Sequence, residues 1–328
     1  MNYPPRLNLA NLPTPIEKLE RISSQWGGYE IFVKRDDKTG LAMSGNKIRK
    51  LEFVIAEAQK QGANLLITCG GIQSNHARAT AVAARKLGME SWLVLRGQEG
   101  SKIEGNLFLD LLVGAKIKYI TPEEYRDEVN EIMSDLADEL RREGYRPYVI
   151  PEGASDEIGA MGYFAATEEI AAQLTQMKLS IDYLVCAVGS GGTYAGLLLG
   201  QKYYKQDYEV VGFNVCDDAE FFINKINKIS KKAIKRFDMP VSVVASDIKI
   251  IDGYVGEGYA LSRPAEIELI KSVAATEGLI LDPVYTGKAM FGLRDQILNG
   301  NQFDKNSRIL FLHSGGLFGL FPKQELFF

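Results

Sequence analysis

Lys47 sits in a polar turn, Ser44-Gly45-Asn46-Lys47-Ile48-Arg49-Lys50, that runs into a segment of helical period with Ile48, Leu51, Ile55 and Ala58 on one face. A lysine in a first helical turn meets the positive end of the helix dipole, and Arg49 and Lys50 add further positive charge. Such a site depresses the lysine pKa or holds an anion, although a solvated basic helix start fits the same residues. A second group, Val188-Gly189-Ser190-Gly191-Gly192-Thr193-Tyr194-Ala195-Gly196, reads as strand, glycine turn and helix. Successive backbone N–H groups there can converge on a phosphate, with the Ser190 and Thr193 hydroxyls as extra donors. It is neither the GxGxxG dinucleotide fingerprint, because residue 194 is tyrosine, nor a P-loop, because GK[ST] is missing. A plain tight turn is the competing reading.

Two further groups lie where strands stop, and another pairs two tyrosine segments. Cys69-Gly70-Gly71-Ile72-Gln73-Ser74-Asn75-His76-Ala77-Arg78 follows the strand Leu65 to Thr68, so Ser74 and Asn75 fall at the carboxyl end of a strand, where α/β sheets bind ligands. Either residue could instead merely cap the helix expected over Ala77 to Leu87. Gly258-Tyr259 and Leu281-Asp282-Pro283-Val284-Tyr285-Thr286-Gly287-Lys288 supply two tyrosines, and Ile309 to Gly316 ends in His313-Ser314-Gly315-Gly316. Tyrosines on their own are more often packing residues than acid and base groups. His76 and His313 are the two histidines, neither with a carboxylate at ligand spacing, which argues against a zinc site. A GxSxG elbow for serine hydrolysis is missing.

The elements that must position these groups alternate between β-branched apolar runs and helical stretches, the pattern of parallel βαβ units in an α/β protein. Runs over 64–69, 91–96, 116–120 and 147–150 predict a four-stranded parallel sheet in a smaller domain. Runs over 183–188, 209–215, 248–251 and 308–313 predict a larger one, joined by the N-terminal arm. Thr121, Pro122 and Glu124 form a capping box that starts one helix. A length of 328 residues suits two domains, with a cleft between them. The division expected is 1–46 with 161–328 against 47–160.

Acidic residues outnumber basic ones by 42 to 38, for a net charge of -4, and no basic block could track a phosphate backbone, which argues against nucleic acid as a partner. The N-terminus MNYPPRLNLANLPTP lacks a secretory pattern and no apolar run reaches bilayer length, so the sequence reads as cytoplasmic, without a membrane span. Cys69, Cys186 and Cys216 show no CxxC spacing and read as buried thiols in a reducing compartment.

Taken in order, from Leu12-Pro13-Thr14-Pro15 to the last glycine turn, the five groups resemble the 1-aminocyclopropane-1-carboxylate (ACC) deaminase and D-cysteine desulfhydrase family. These are pyridoxal-phosphate (PLP) enzymes of fold type II, similar in fold to tryptophan synthase β. The resemblance implies PLP as cofactor, held as a Schiff base by Lys47, with Lys50 and Gly189, Ser190, Gly191, Gly192 and Thr193 on its phosphate and Asn75 on its ring hydroxyl. Ser74, Asn75, His76, Tyr259 and Tyr285 would meet a small amino-acid substrate, with Lys47, Ser74 and the two tyrosines catalytic. A homodimer is implied as well.

The two branches of the family differ near the pyridine nitrogen. ACC deaminases carry a glutamate after the second tyrosine and a leucine in the last glycine motif; this chain has Thr286 and Ser314. A carboxylate keeps the ring nitrogen protonated and deepens the electron sink, whereas hydroxyls only hydrogen-bond to it. Cyclopropane opening needs the deeper sink, while expulsion of a thiolate from Cβ does not. The Gln73 to Arg78 segment also resembles the desulfhydrase branch. The expected activity is α,β-elimination of D-cysteine to pyruvate, ammonia and hydrogen sulfide, with L-cysteate sulfo-lyase or ACC deaminase as alternatives. A non-catalytic α/β module that binds a phosphorylated ligand is the reading from another class; it leaves Lys47 without a role.

Overall fold

In the computed structural model, which describes residue 1 and residues 3–328, the chain opens with β1 (Ile16–Lys18), α1 (Glu20–Gln25), β2 (Glu30–Lys34) and α2 (Asn46–Lys60). The middle of the chain holds β3 (Leu65–Gly71), α3 (Asn75–Lys86), β4 (Glu90–Arg96), α4 (Gly105–Leu112), β5 (Lys116–Ile120), α5 (Pro122–Asp127), α6 (Val129–Arg142) and β6 (Pro147–Val149). The remainder comprises α7 (Met161–Met177), β7 (Tyr183–Val188), α8 (Gly192–Tyr203), β8 (Glu209–Asn214), α9 (Ala219–Phe237), β9 (Lys249–Ile251), α10 (Pro264–Glu277), α11 (Thr286–Leu298), β10 (Arg308–Leu312) and α12 (Leu317–Leu320).

Strands β5-β4-β3-β6 make an all-parallel sheet, and β1-β2-β10-β7-β8-β9 make a second one in which only the β1–β2 pair is antiparallel. The α/β class and the eight strands read from the sequence are present, with ends shifted by a residue or two. Residues 65–70 of β3 are all buried, as expected of a parallel strand covered on both faces. The N-terminal arm does more than join the domains: β2 pairs with β10 in the middle of the larger sheet. The capping box at α5 forms, with Glu124 N–H donating to Thr121 Oγ1 at 3.2 Å and Thr121 N–H to Glu124 Oε2 at 2.7 Å.

Helix α2 is the joint between the sheets. Its predicted apolar face, Ile48, Leu51, Ile55 and Ala58, is completely buried, and it shares one hydrophobic cluster with Leu66 and Ala79 on one side and Leu184, Leu197 and Leu310 on the other. Arg49 and Lys50 are buried too, contrary to a solvated helix start. Arg49 is held by Asp36 (Nε–Oδ2 2.8 Å) and Glu169 (Nη1–Oε2 2.9 Å), and Tyr163 donates to Asp36 at 2.6 Å. The backbone carbonyl of Asp36 accepts from Gly45 N at 3.1 Å, so this network also fixes the turn before Lys47.

Cys69 and Cys186 are buried, but Cys216 is half-buried, because it lies past the end of β8 where the chain turns toward the cavity between the sheets. No helix is long and apolar enough to cross a membrane among the described residues.

Candidate active site

A cavity of about 610 Å³ opens at the carboxyl ends of β3, β7 and β10, a size that accommodates a cofactor together with a small substrate. Lys47, Ser74, Asn75, His76, Gly189, Ser190, Gly191, Thr193, Tyr259, Tyr285 and Ser314 all line it, although they come from distant parts of the chain.

The turn before Lys47 is laid directly on the Ser314 turn. Asn46 N donates to Ser314 O at 3.0 Å, and a Cβ on Gly45, whose φ is +105°, would stand 2.8 Å from that same oxygen. Only glycine fits there in both conformation and space. The Lys47 amine has no hydrogen-bond partner among the described residues. Burial lowers its pKa to about 8; Glu152 opposes that shift and Lys225 adds to it. The shift has the expected direction, but its cause is desolvation and not the charges of Arg49 and Lys50.

At the phosphate-type loop, Ser190 and Gly191 N–H groups make no backbone hydrogen bond among the described residues, and helix α8 begins at Gly192. Lys50 stands behind this loop rather than in the cavity wall. Its amine donates to Gly153 O at 2.5 Å and Ser155 Oγ at 2.9 Å, and Ser155 Oγ in turn meets Ser190 Oγ at 2.7 Å. Gly192 also lies behind the wall; a Cβ on it would come within 2.6 Å of Lys50 Nζ and 2.7 Å of Ser155 Oγ. Burial pushes the Lys50 pKa well below its usual value, with Lys47 adding to the shift. An anion on the loop would oppose that shift and favour the charged ammonium, so free N–H groups, hydroxyls and a buried lysine together suit a phosphate.

Ser74 is the N-cap of α3, which begins at Asn75 rather than Ala77; Ser74 Oγ accepts from Ala77 N at 3.1 Å. The hydroxyl proton remains free for a ligand, so capping and ligand contact are compatible. Asn75 Oδ1 accepts from Asn106 Nδ2 at 3.1 Å, and Asn106 Oδ1 accepts from Arg78 Nε at 3.0 Å. This chain orients the Asn75 amide with its NH₂ group available. His76 Nε2 meets Thr68 Oγ1 at 2.8 Å, and burial holds its pKa well below the ordinary range, so the ring is neutral.

The Tyr259 and Tyr285 hydroxyls are 2.5 Å apart. Burial raises the pKa of Tyr259 to about 12 and that of Tyr285 well above its ordinary value, so both hold their protons at neutral pH and can donate. Asp282, which sequence reasoning quoted but gave no role, fastens this part of the wall. Its carboxylate accepts from the N–H groups of Val284, Tyr285 and Thr286 at 2.8 to 2.9 Å. Its position three residues before Tyr285, at the approach to a helix, was the available signal.

Thr286 needs correcting as a cavity residue. It is fully buried; its hydroxyl donates to Asp282 Oδ1 at 2.7 Å and accepts from Asp282 N at 2.8 Å, so it is spent on the turn. Ser314 alone of the expected hydroxyl pair reaches the cavity. His313 orients it: Nε2 donates to Ile280 O at 2.8 Å and Nδ1 accepts from Gly315 N at 3.2 Å. Among the described residues no cluster of three or more His, Cys, Asp or Glu side chains could hold a metal.

An unpaired lysine, a phosphate-type cradle and neutral donors around one cavity are the equipment of a PLP site, and comparison with known proteins agrees. The family model for pyridoxal-phosphate-dependent enzymes matches residues 7–315, and the chain belongs to that family, in fold type II. Within it, the chain groups with proteins named for ACC deaminase and D-cysteine desulfhydrase. It is 45% identical over 323 residues to a putative ACC deaminase of Thermotoga maritima, covering 98% of this chain and 99% of the relative. It is 42% identical over 326 residues to a mitochondrial bifunctional D-cysteine desulfhydrase/ACC deaminase of Arabidopsis thaliana, covering 97% and 80%. A crystal structure described as an ACC deaminase homologue superposes with a TM-score of 0.89 at 39% identity, covering 98% of this chain and 95% of the other.

Proposed function

We propose that this PLP enzyme is a carbon–sulfur lyase that converts D-cysteine to pyruvate, ammonia and hydrogen sulfide. The observation that carries the reading is the hydroxyl of Ser314 in the final glycine turn, with Thr286 turned away onto Asp282. A hydroxyl there supports a neutral ring nitrogen, which suffices to expel a good leaving group and disfavours ring opening of ACC.

PLP, when bound, supplies a sink for the electrons left at the substrate Cα. Lys47 is the residue of covalent attachment. Its amine, depressed to about pKa 8, is also suited to take the Cα proton at Nζ near neutral pH. Ser190, Gly191, Thr193 and the α8 N-terminus grip the phosphate, Lys50 and Gly192 support that grip from behind, and Asn75 meets the ring hydroxyl. Ser74 and the first N–H groups of α3 take the substrate carboxylate, with neutral His76 keeping that wall in shape. Tyr259 and Tyr285, both protonated, deliver a proton to the departing sulfur.

The large PLP-binding domain is residues 1–46 with 161–328 and the small domain is 47–160, a division supported by the two sheets. A homodimer is supported by exposed apolar side chains on α4 and the C-terminal segment, among them Phe108, Leu112, Leu317 and Phe321. The test is a product assay of the holoenzyme with D-cysteine, L-cysteine, L-cysteate and ACC. Pyruvate and sulfide from D-cysteine are expected; 2-oxobutyrate from ACC as the main product would overturn the role given to Ser314. Borohydride reduction should fix the cofactor on the peptide containing Lys47.

A further inference from the structure

Arg96, at the end of β4, is a charged side chain in the cavity wall that the site above leaves without a task. Its guanidinium lies 5.2 Å from the ring centroid of Tyr125 and 5.4 Å from that of Tyr259. It forms no side-chain hydrogen bond and no ion pair among the described residues, unlike Arg126, which also lines the cavity but is paired with Asp127 at 2.6 Å. Tyr125 is itself fixed, its hydroxyl donating to Glu152 at 2.6 Å. Aromatic rings that cover the faces of a guanidinium leave its N–H edge free, and that edge matches an oxyanion or a thiolate.

The position is specific. Arg96 pairs in register with Gly71, and a Cβ on Gly71 would stand 3.7 Å from Arg96 Nη2. Gly71 O in turn accepts from Ser74 N, so Arg96 is next to the turn that carries Ser74 and Asn75. On its other side the Tyr259 hydroxyl reaches Tyr285, whose ring packs on Gly189 of the phosphate-type loop. Besides Arg96 and Lys47, the wall holds one more cation without a hydrogen-bond or ion-pair partner among the described residues, Lys225, and it belongs to the loop end, where its Cγ lies 3.9 Å from a Cβ built on Gly191. Arg96 is therefore at the tyrosine end, between the α3 N-terminus and the tyrosine pair.

Given the amino-acid-binding site proposed above, on which the inference rests, we propose that Arg96 receives the β-substituent of the substrate and selects amino acids that carry negative charge there. Thiolate, sulfonate and carboxylate share that property. A thiol of pKa ~8.5 is drawn toward its thiolate by such a neighbour; when the Cβ–S bond breaks, sulfur keeps the bonding pair and takes one proton from the Tyr259–Tyr285 pair, so that it leaves as hydrosulfide beside the Arg96 charge. Arg96 is thus a specificity residue of the site.

The experiment is calorimetric titration of the holoenzyme with both enantiomers of aspartate and of asparagine, a pair of nearly equal shape that differs in charge at the β-substituent. The wild-type protein should bind aspartate roughly tenfold or more tighter than asparagine of the same hand, a typical size for one charge-assisted pair. Arg96→Gln should reduce the preference to within about twofold, and Arg96→Lys should keep part of it, because the charge remains while the planar fork is lost. Equal binding of aspartate and asparagine by the wild type, or a preference that persists in Arg96→Gln, overturns the proposal. Sulfide release from D-cysteine is measured on the same wild-type sample. No sulfide with an intact, Arg96-dependent preference refutes the desulfhydrase reading alone, whereas sulfide without the preference refutes the role of Arg96 alone.

Discussion

Two cations two residues apart at the start of α2 have opposite fates. Arg49 has two carboxylates, Asp36 and Glu169, in hydrogen-bonding contact, and its pKa is raised well above the ordinary value. Lys47, two residues earlier, has no such partner, and its pKa falls to about 8. Arg49 is fully buried and Lys47 half-buried at the cavity, and both lose hydration, so desolvation alone does not distinguish a structural cation from a reactive one. The partners do: a paired cation is held charged and immobile, and an unpaired one becomes a base and nucleophile. The paired network also holds Gly45, so the inert half of the turn positions the reactive half.

Exchanging charge for an apolar group should separate the two roles. Lys47→Ala is expected to lower turnover roughly a thousandfold or more while the thermal midpoint of the apoprotein stays within a few degrees of wild type. Arg49→Met should do the reverse in stability. It strands the fully buried Asp36 carboxylate, a defect that costs about 3–5 kcal/mol, and should lower the midpoint by roughly 5 °C or more. Equal loss of stability in both variants, read by differential scanning calorimetry, would erase the contrast.

The contrast sharpens in the pH dependence of cofactor attachment. Only the neutral amine reacts, so the rate at which apoprotein takes up PLP should rise about tenfold per pH unit below pH 8 and level off above it, followed by absorbance. A rise that continues toward pH 10 would mean that Lys47 behaves as an ordinary exposed lysine. A smaller effect is expected at the opposite wall. Ser314→Ala should reduce D-cysteine turnover by roughly tenfold with little change in midpoint. Thr286→Val should mainly lower stability, by the roughly 1 kcal/mol of its bond to Asp282, read as a small fall in midpoint.

How far the sequence carried the site depended on whether a residue's role was local. Strands β3, β4 and β7 were legible because parallel strands largely covered on both faces are near-continuous apolar runs. The three-residue β1 was not, and the pairing of β2 with β10 spans nearly the whole chain. Gly189 to Thr193 and Ser74 announce themselves by turn chemistry. Thr286 beside Tyr285 gave no sign that its hydroxyl would be consumed by Asp282, and Ser155 behind the phosphate loop gave none at all, because both roles arise from contacts that only the folded chain creates.

The smallest expected effect concerns a second pair of buried opposite charges, and it tests whether pairing really decides the outcome. Arg78 and Asp110 are both fully buried, but Arg78 gives its hydrogen bonds to Asn106 and to the carbonyls of Ala42 and Ser44, leaving both Asp110 oxygens without a partner. Burial raises the Asp110 pKa to about 8 against the pull of Arg78, whose own pKa is lowered to about 10. Asp110 therefore holds a proton in the folded protein that the unfolded chain releases near pH 4. Stability from this group is complete at low pH and is lost as pH rises from about 4 toward 8, since the folded state binds the extra proton in that window. Asp110→Asn, which keeps the shape and removes the titration, should leave the thermal midpoint near wild type at pH 5 and raise it by roughly 2 °C or more at pH 8. A gain of the same size at both pH values would show that proximity to Arg78 keeps Asp110 ionised without direct contact, and that hydrogen-bonded pairing is not what separates the buried charges of this protein.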